Sequence, residues 1–195
     1  MQTIIRDYAV FSFQELSKEA QEKALDELRD VNVDFDDWHQ FILEDWKEKL
    51  EAMGYTHPKI MYSGFWSQGD GACFEATIDL TTWLKAYKLT NKYRKLYAEQ
   101  KRDGYVNIVI RHSGHYYHEN STSVEDEFGY HLSEKAQDQL GEIVALIESD
   151  IVDINKQIYR SLEKAYEAST SDEAIKDTIE ANEYTFLEDG TMFTL

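Results

Sequence analysis

Cysteine and proline are almost missing from this chain: each occurs once in 195 residues, as Cys73 and Pro58. A single thiol excludes an intramolecular disulfide and a Cys-rich zinc site, and it fits a reducing compartment. A single proline excludes a Pro-rich linker. Positive charge is scarce as well. Lys and Arg number 20 against 38 Asp and Glu, for a formal net charge of −18. Such a chain repels phosphate backbones, which argues against direct nucleic-acid binding. No stretch approaches the roughly 20 apolar residues of a membrane span, and residues 1–7 lack the apolar run of a secretory signal. The expectation is a cytoplasmic protein with no membrane partner. The common catalytic fingerprints are missing too. There is no Gly-x-Ser-x-Gly, no Gly-Lys-Ser/Thr closing a phosphate loop, and Gly64, Gly69 and Gly71 do not have dinucleotide-fold spacing.

Apolar residues are plentiful. Hydrophobic content is 42% and aromatic content 13%, enough to bury a core and to exclude wholesale disorder. The length suits one domain over residues 1–195. Residues 3–11 are apolar and β-branched at the start, the pattern of an edge strand. Ser12-x-x-Glu15 has capping-box form and precedes a helical stripe of Ala20, Ala24, Leu25 and Leu28, ending near Asp30. A second helix is expected from Asp36, turning Trp38, Phe41, Ile42, Leu50 and Met53 inward and stopping at Gly54. Residues 59–65 and 72–80 predict a hairpin. Thr81 or Thr82 caps a third helix running to Arg102, which carries the main basic island.

A strand over 105–112 is expected to return over 115–125. A long helix over 133–166 follows, with Leu140, Ile143, Val144, Ile147, Ile151, Ile154, Ile158 and Leu162 on one stripe and room for one kink. A last helix over 170–182 leads to 183–187 and 191–193, which flank an Asp189-Gly190 turn. Strands come in runs between helices, without βαβ alternation. The predicted fold class is therefore α+β: a small antiparallel sheet of two or more hairpins packed with about five helices.

Two turns stand out. Tyr62-Ser-Gly-Phe-Trp-Ser-Gln-Gly-Asp-Gly-Ala-Cys-Phe74 packs three glycines with exposed-looking rings, and Arg111-His-Ser-Gly-His-Tyr-Tyr-His-Glu119 repeats that character. Loops on a rigid scaffold are where sites usually form. The candidate ligand-binding residues are Phe65, Trp66, Gln68, Asp70, Arg111, His112, His115, Tyr116, Tyr117 and His118. Their rings suit stacking on a planar group such as a nucleobase. Each has a plainer alternative. Asp70 suits bonding the backbone of its own turn. The histidines, spaced by three on β-rich flanks, alternate faces and make a poor metal triad, so hydrogen-bonded imidazoles are the simpler reading. Cys73 suits a buried inert thiol. No complete catalytic set is present, and neither a cofactor nor a metal is expected. The two turns are expected to lie side by side at one end of the sheet, since isolated hairpins are marginal and pair in one sheet.

Several phrases together resemble a known family. They are Phe13-Gln-Glu-Leu-Ser-Lys-Glu-Ala-Gln-Glu-Lys-Ala24, Ser63-Gly-Phe-Trp-Ser-Gln-Gly-Asp-Gly-Ala-Cys-Phe74, Arg111-His-Ser-Gly-His-Tyr-Tyr-His118, Thr170-Ser-Asp-Glu-Ala-Ile-Lys176 and Ile179-Glu-Ala-Asn-Glu-Tyr184, the last just before Phe186-Leu-Glu-Asp-Gly190. Across nearly the whole chain this resembles small acidic phage and prophage proteins labelled "antitoxin of toxin–antitoxin stability system". The resemblance implies a phage accessory protein inside a host bacterium that counters a toxin or defence system, and the lack of a complete catalytic set adds the expectation that it does so by binding. The favoured version is sequestration of a small nucleotide-like ligand at the two turns. One alternative is an acidic antitoxin or inhibitor that docks on a basic host protein through the acidic helices near 34–51 and 134–153. Another is a metal-assisted enzyme acting on nucleotides through the histidines and Asp70. A homo-oligomer is left open.

Overall fold

Apolar residues recurring every three or four positions from Ala136 to Leu162 build a single unbroken helix, α5 (Glu134–Ser169), with all of the predicted stripe except Val144 fully buried. The expected break does not occur. In this computed structural model, residues 7–35, 37–104, 106–128 and 132–194 are described. The chain divides into two compact units, one of Met1–His39 with Lys164–Leu195 and the other of Gln40–Glu163. The fold is α+β, with six α-helices, a four-stranded antiparallel sheet and a two-stranded one among the described residues.

In the larger unit the helices are α2 (Gln40–Ala52), α3 (Leu80–Ala86), α4 (Arg94–Asp103) and most of α5. The strands β2 (Tyr55–Tyr62), β3 (Ala72–Ile78), β4 (Val106–His112) and β5 (Thr122–Phe128) lie in sequence order, each antiparallel to the next. Phe74, Ile78, Ile108 and Ile110 alternate inward along the strands and meet the α5 stripe in one core. Cys73 is fully buried, and burial pushes its thiol upward in pKa, so it is a poor nucleophile.

Several boundaries depart from expectation. The predicted start of α2 at Asp36 lies outside the described residues, as do residues 3–6 of the first strand and Tyr105 of the third. Phe41 is 79% exposed. The inward face of α2 follows Leu43, Trp46, Leu50 and Met53, and Phe41 sits well off that line at 3.6 residues per turn. Trp38 is half-buried and stacks edge-on to Tyr166, ring centres 5.8 Å apart. The third helix is two helices. Asp79 rather than a threonine caps α3, accepting from the Thr81 and Thr82 amides. Lys88 then takes a left-handed φ of 58°, and the Leu89 amide closes back on Leu84 O. The basic island is therefore split. Three of its cations are paired in place, Lys92–Glu142, Lys95–Glu99 and Arg102–Asp103.

In the smaller unit β1 (Phe11–Ser12) pairs with β6 (Thr185–Phe186), and α1 (Lys18–Glu27) and α6 (Asp172–Ala181) carry the rest. Glu15 reaches back to Ser12 as its motif predicts, but it closes a 3-10 turn; Ser17 caps α1 itself. Phe13, Leu25, Ile175, Ile179 and Phe186 form a separate small core. Arg29 ties α1 to Asp172 at 2.7 Å and Thr170 O at 3.0 Å. The Asp189-Gly190 turn forms as predicted.

Candidate functional site

Two glycines set the site. A Cβ on Gly69, whose φ is +95°, would stand 2.8 Å from Tyr116 Cδ1, and one on Gly71 would stand 2.6 Å from Tyr117 O. Only glycine permits backbone to approach that closely. The turn over 63–71 and the loop over 113–121 accordingly lie against each other, as expected.

Each loop is then held to α5. Phe65 stacks on Tyr62, centres 6.2 Å apart, and leans on Tyr159 of α5 at 5.6 Å. Asn155 of α5 donates through Nδ2 to Glu119 O at 3.3 Å and Thr122 Oγ1 at 3.4 Å. The place where both loops reach the helix is a cavity of about 290 Å³, lined by Asp70, Gly71, Ala72, Glu119, Asn155, Lys156, Tyr159 and Arg160.

The polar groups of this cavity are unevenly satisfied. Asp70 Oδ2 accepts from the Trp66 and Ser67 amides at 2.9 and 2.6 Å, so it shapes its own turn. Burial, followed by the charges of Glu163 and Asp70, raises the Tyr159 hydroxyl above the ordinary tyrosine range and keeps it a neutral donor. Asn155 is 0% exposed, and its Oδ1 has no hydrogen-bond partner among the described residues. Turning the amide over would only set two oxygens together at Glu119 O, so an orphaned acceptor remains. Buried acceptors are rarely left unmade, because each costs about 1–3 kcal/mol. Lys156 and Arg160 have no ion-pair partner among the described residues, in a chain with a large acidic excess.

Of the ten residues singled out in the sequence, Asp70 alone lines this cavity. Phe65 anchors a loop. Trp66, Gln68, His115 and Tyr116 are exposed, Trp66 at 74% and Tyr116 at 61%. Arg111 pairs across the sheet with Glu125 at 2.8 Å. His112 Nε2 donates to Tyr116 O at 3.0 Å while its ring lies 4.9 Å from Tyr117, and His118 Nδ1 accepts from the Asn120 amide at 3.1 Å. These two imidazoles brace the loop. Among the described residues no group of three or more His, Cys, Asp or Glu side chains is placed to hold a metal ion, and no helix is long and apolar enough to cross a membrane. The α5 residues escape sequence reasoning, although an asparagine between Ile154 and Ile158 interrupts an apolar stripe and is a readable signal.

A family model described as "Domain of unknown function (DUF8835)" matches residues 38–172, well over half of the chain. The chain belongs to this family. No curated protein and no solved structure matches it. The DUF8835 match spans the whole larger unit, including both loops and the α5 residues of the cavity.

Proposed function

We propose that the DUF8835 unit captures a small ligand that combines an anionic group with a hydrogen-bond donor edge, as a nucleoside monophosphate does. The observation that carries this reading is the buried, partnerless Asn155 Oδ1 beside two cations with no counter-ion among the described residues. The acceptor calls for an N–H or O–H, and Lys156 and Arg160 call for phosphate or carboxylate. A cavity of about 290 Å³ is at the lower limit of ordinary ligand sites, roughly 300–1,000 Å³. It suits one nucleotide-sized molecule rather than a dinucleotide. Asp70 and Glu119 oppose a second phosphate and favour an amine or hydroxyl edge. The exposed indole of Trp66, on the residue whose amide Asp70 holds, offers a face for a planar ring at the rim.

Among the described residues no nucleophile–base pair accompanies these groups, and binding rather than turnover is the reading. Capture of a small signal of a host toxin or defence system would be one way to play the accessory role that the resemblance to phage proteins implies. The test is to heat the purified protein and identify the small molecules released, then to titrate nucleoside monophosphates by calorimetry. Release or binding of a nucleotide by the wild type, lost in Lys156→Ala/Arg160→Ala, is expected. Absence of both would overturn the reading and favour an acidic inhibitor of a basic protein, whose association would weaken steeply with salt.

A further inference from the structure

The other flank of α5 holds a larger cavity of about 660 Å³. Its walls include Trp46, Met53, Tyr87 and Ile154, and Asp150 is the acid that lines it. Asp150 Oδ2 accepts from Tyr55 OH at 2.6 Å and from Tyr87 OH, and Tyr55 OH in turn accepts from Trp83 Nε1 at 3.1 Å. Burial first, and then the neighbouring carboxylate, raise both phenols above the ordinary tyrosine range, so they stay protonated donors. That network explains one oxygen of Asp150. Among the described residues it leaves Oδ1 without a partner, and no Lys or Arg pairs with this carboxylate. Lys49, the cation on the cavity wall, is committed elsewhere: it pairs with Asp45 at 2.5 Å and lies over the Trp46 ring at 4.9 Å. Asp150 is half-buried and lines the cavity, and one of its oxygens does all of the tethering of the two tyrosines, so the other is not needed for it.

We propose that this cavity binds a small organic cation, a primary amine on a flat or aliphatic apolar body. The ammonium meets Asp150 Oδ1, and the body fills the space between Trp46, Met53 and Ile154. The lining excludes an anion, because Asp150 would repel it. A charge-assisted hydrogen bond and the covered apolar surface supply the affinity. The site shares no residue with the polar cavity, so its occupancy does not depend on the nucleotide reading.

The test is calorimetric titration of the full chain with phenethylamine, with phenylacetate as a control of closely matched size and opposite charge. Saturable binding of the amine alone is expected. Asp150→Asn should weaken it by roughly 10- to 100-fold. Because that change also touches the tyrosine network, Gln157→Trp serves as a second variant. Gln157 is exposed at the cavity, so the bulkier ring should block entry while leaving the melting temperature at the wild-type value. No amine binding by the wild type, equal binding of phenylacetate, or amine binding that survives either substitution would overturn the proposal.

Discussion

The two flanks of α5 differ in what the protein leaves undone. On one, where the loops over 63–71 and 113–121 meet the helix, the groups unmet among the described residues are polar: an orphaned amide oxygen and two unpaired cations, held in a small cavity. On the other, the Tyr55 and Tyr87 hydroxyls and Lys49 are satisfied, and the apolar wall carries an open carboxylate oxygen of Asp150. Between them runs the buried stripe of Ile147, Ile151, Ile154 and Ile158, the spine that both recesses share. One helix thus supports a polar recess and an apolar one, because its 3.6-residue period sends Asn155 and Tyr159 to one side and Asp150 and Gln157 to the other. The lesson is that a long helix whose stripe is interrupted by Asn or flanked by Asp can carry function as well as core.

The comparison breaks first if the shared support is removed. Ile147→Ala should cost about 2–5 kcal/mol, read by urea unfolding, and should weaken both cavities together. Weakening of one alone would show that α5 is not their common frame. The next largest effect separates the flanks. Gly71→Ala drives a Cβ toward Tyr117 O, and overpacking of this kind typically costs about 1–3 kcal/mol. It should abolish ligand uptake at the polar cavity and leave phenethylamine binding intact. Equal loss at both would mean that the loops and the apolar cavity are one cooperative piece.

The chain itself announces the frame better than the sites. The α5 stripe, the hairpin over 59–65 and 72–80 and the Asp189-Gly190 turn are local signals, carried by period and by turn chemistry, and they form close to where they are read, whereas the strand expected over 115–125 returns only at Thr122–Phe128. Phe41 defies its expected face because a short amphipathic run fits more than one side until Trp46 and Leu50 fix it against the core. The helix expected up to Arg102 divides at Lys88, whose positive φ no propensity announces. The site is half legible for a related reason. Glycines in the two turns mark where backbones touch, but which helix they touch is a tertiary fact. Aromatic and histidine density draws attention to Trp66, His112 and Tyr116, whereas the unmet groups stand on Asn155, Lys156 and Arg160, nearly ninety positions downstream of the first turn.

Glu99 offers a smaller test that should move both flanks equally. Its buried carboxylate accepts from Ser133 N at 3.0 Å and Ser133 Oγ at 2.9 Å, just ahead of α5. The Ser133 amide first, and then Lys95, hold its pKa below the ordinary range. A depressed folded-state pKa gives stability that is present above the unfolded carboxylate value and lost as pH falls through the folded one. Melting temperature should therefore drop in acid, and Glu99→Gln should flatten that dependence while costing less than Ile147→Ala. The smallest effect on stability belongs to Trp66→Ala. An indole 74% exposed should change unfolding free energy by no more than about 0.5 kcal/mol, so any fall in ligand affinity would report stacking at the rim of the polar cavity rather than a weakened fold.

The most direct test of the account is a two-dimensional amide NMR titration of the full chain with adenosine monophosphate. If the polar recess is the site, the Asn155 side-chain amide and the backbone amides of Gly71 and Ala72 shift together and saturably, while Tyr87 and Gln157 stay in place. Unmoved Asn155 and Gly71 signals at saturating nucleotide, or shifts confined to Tyr87 and Gln157, would contradict it.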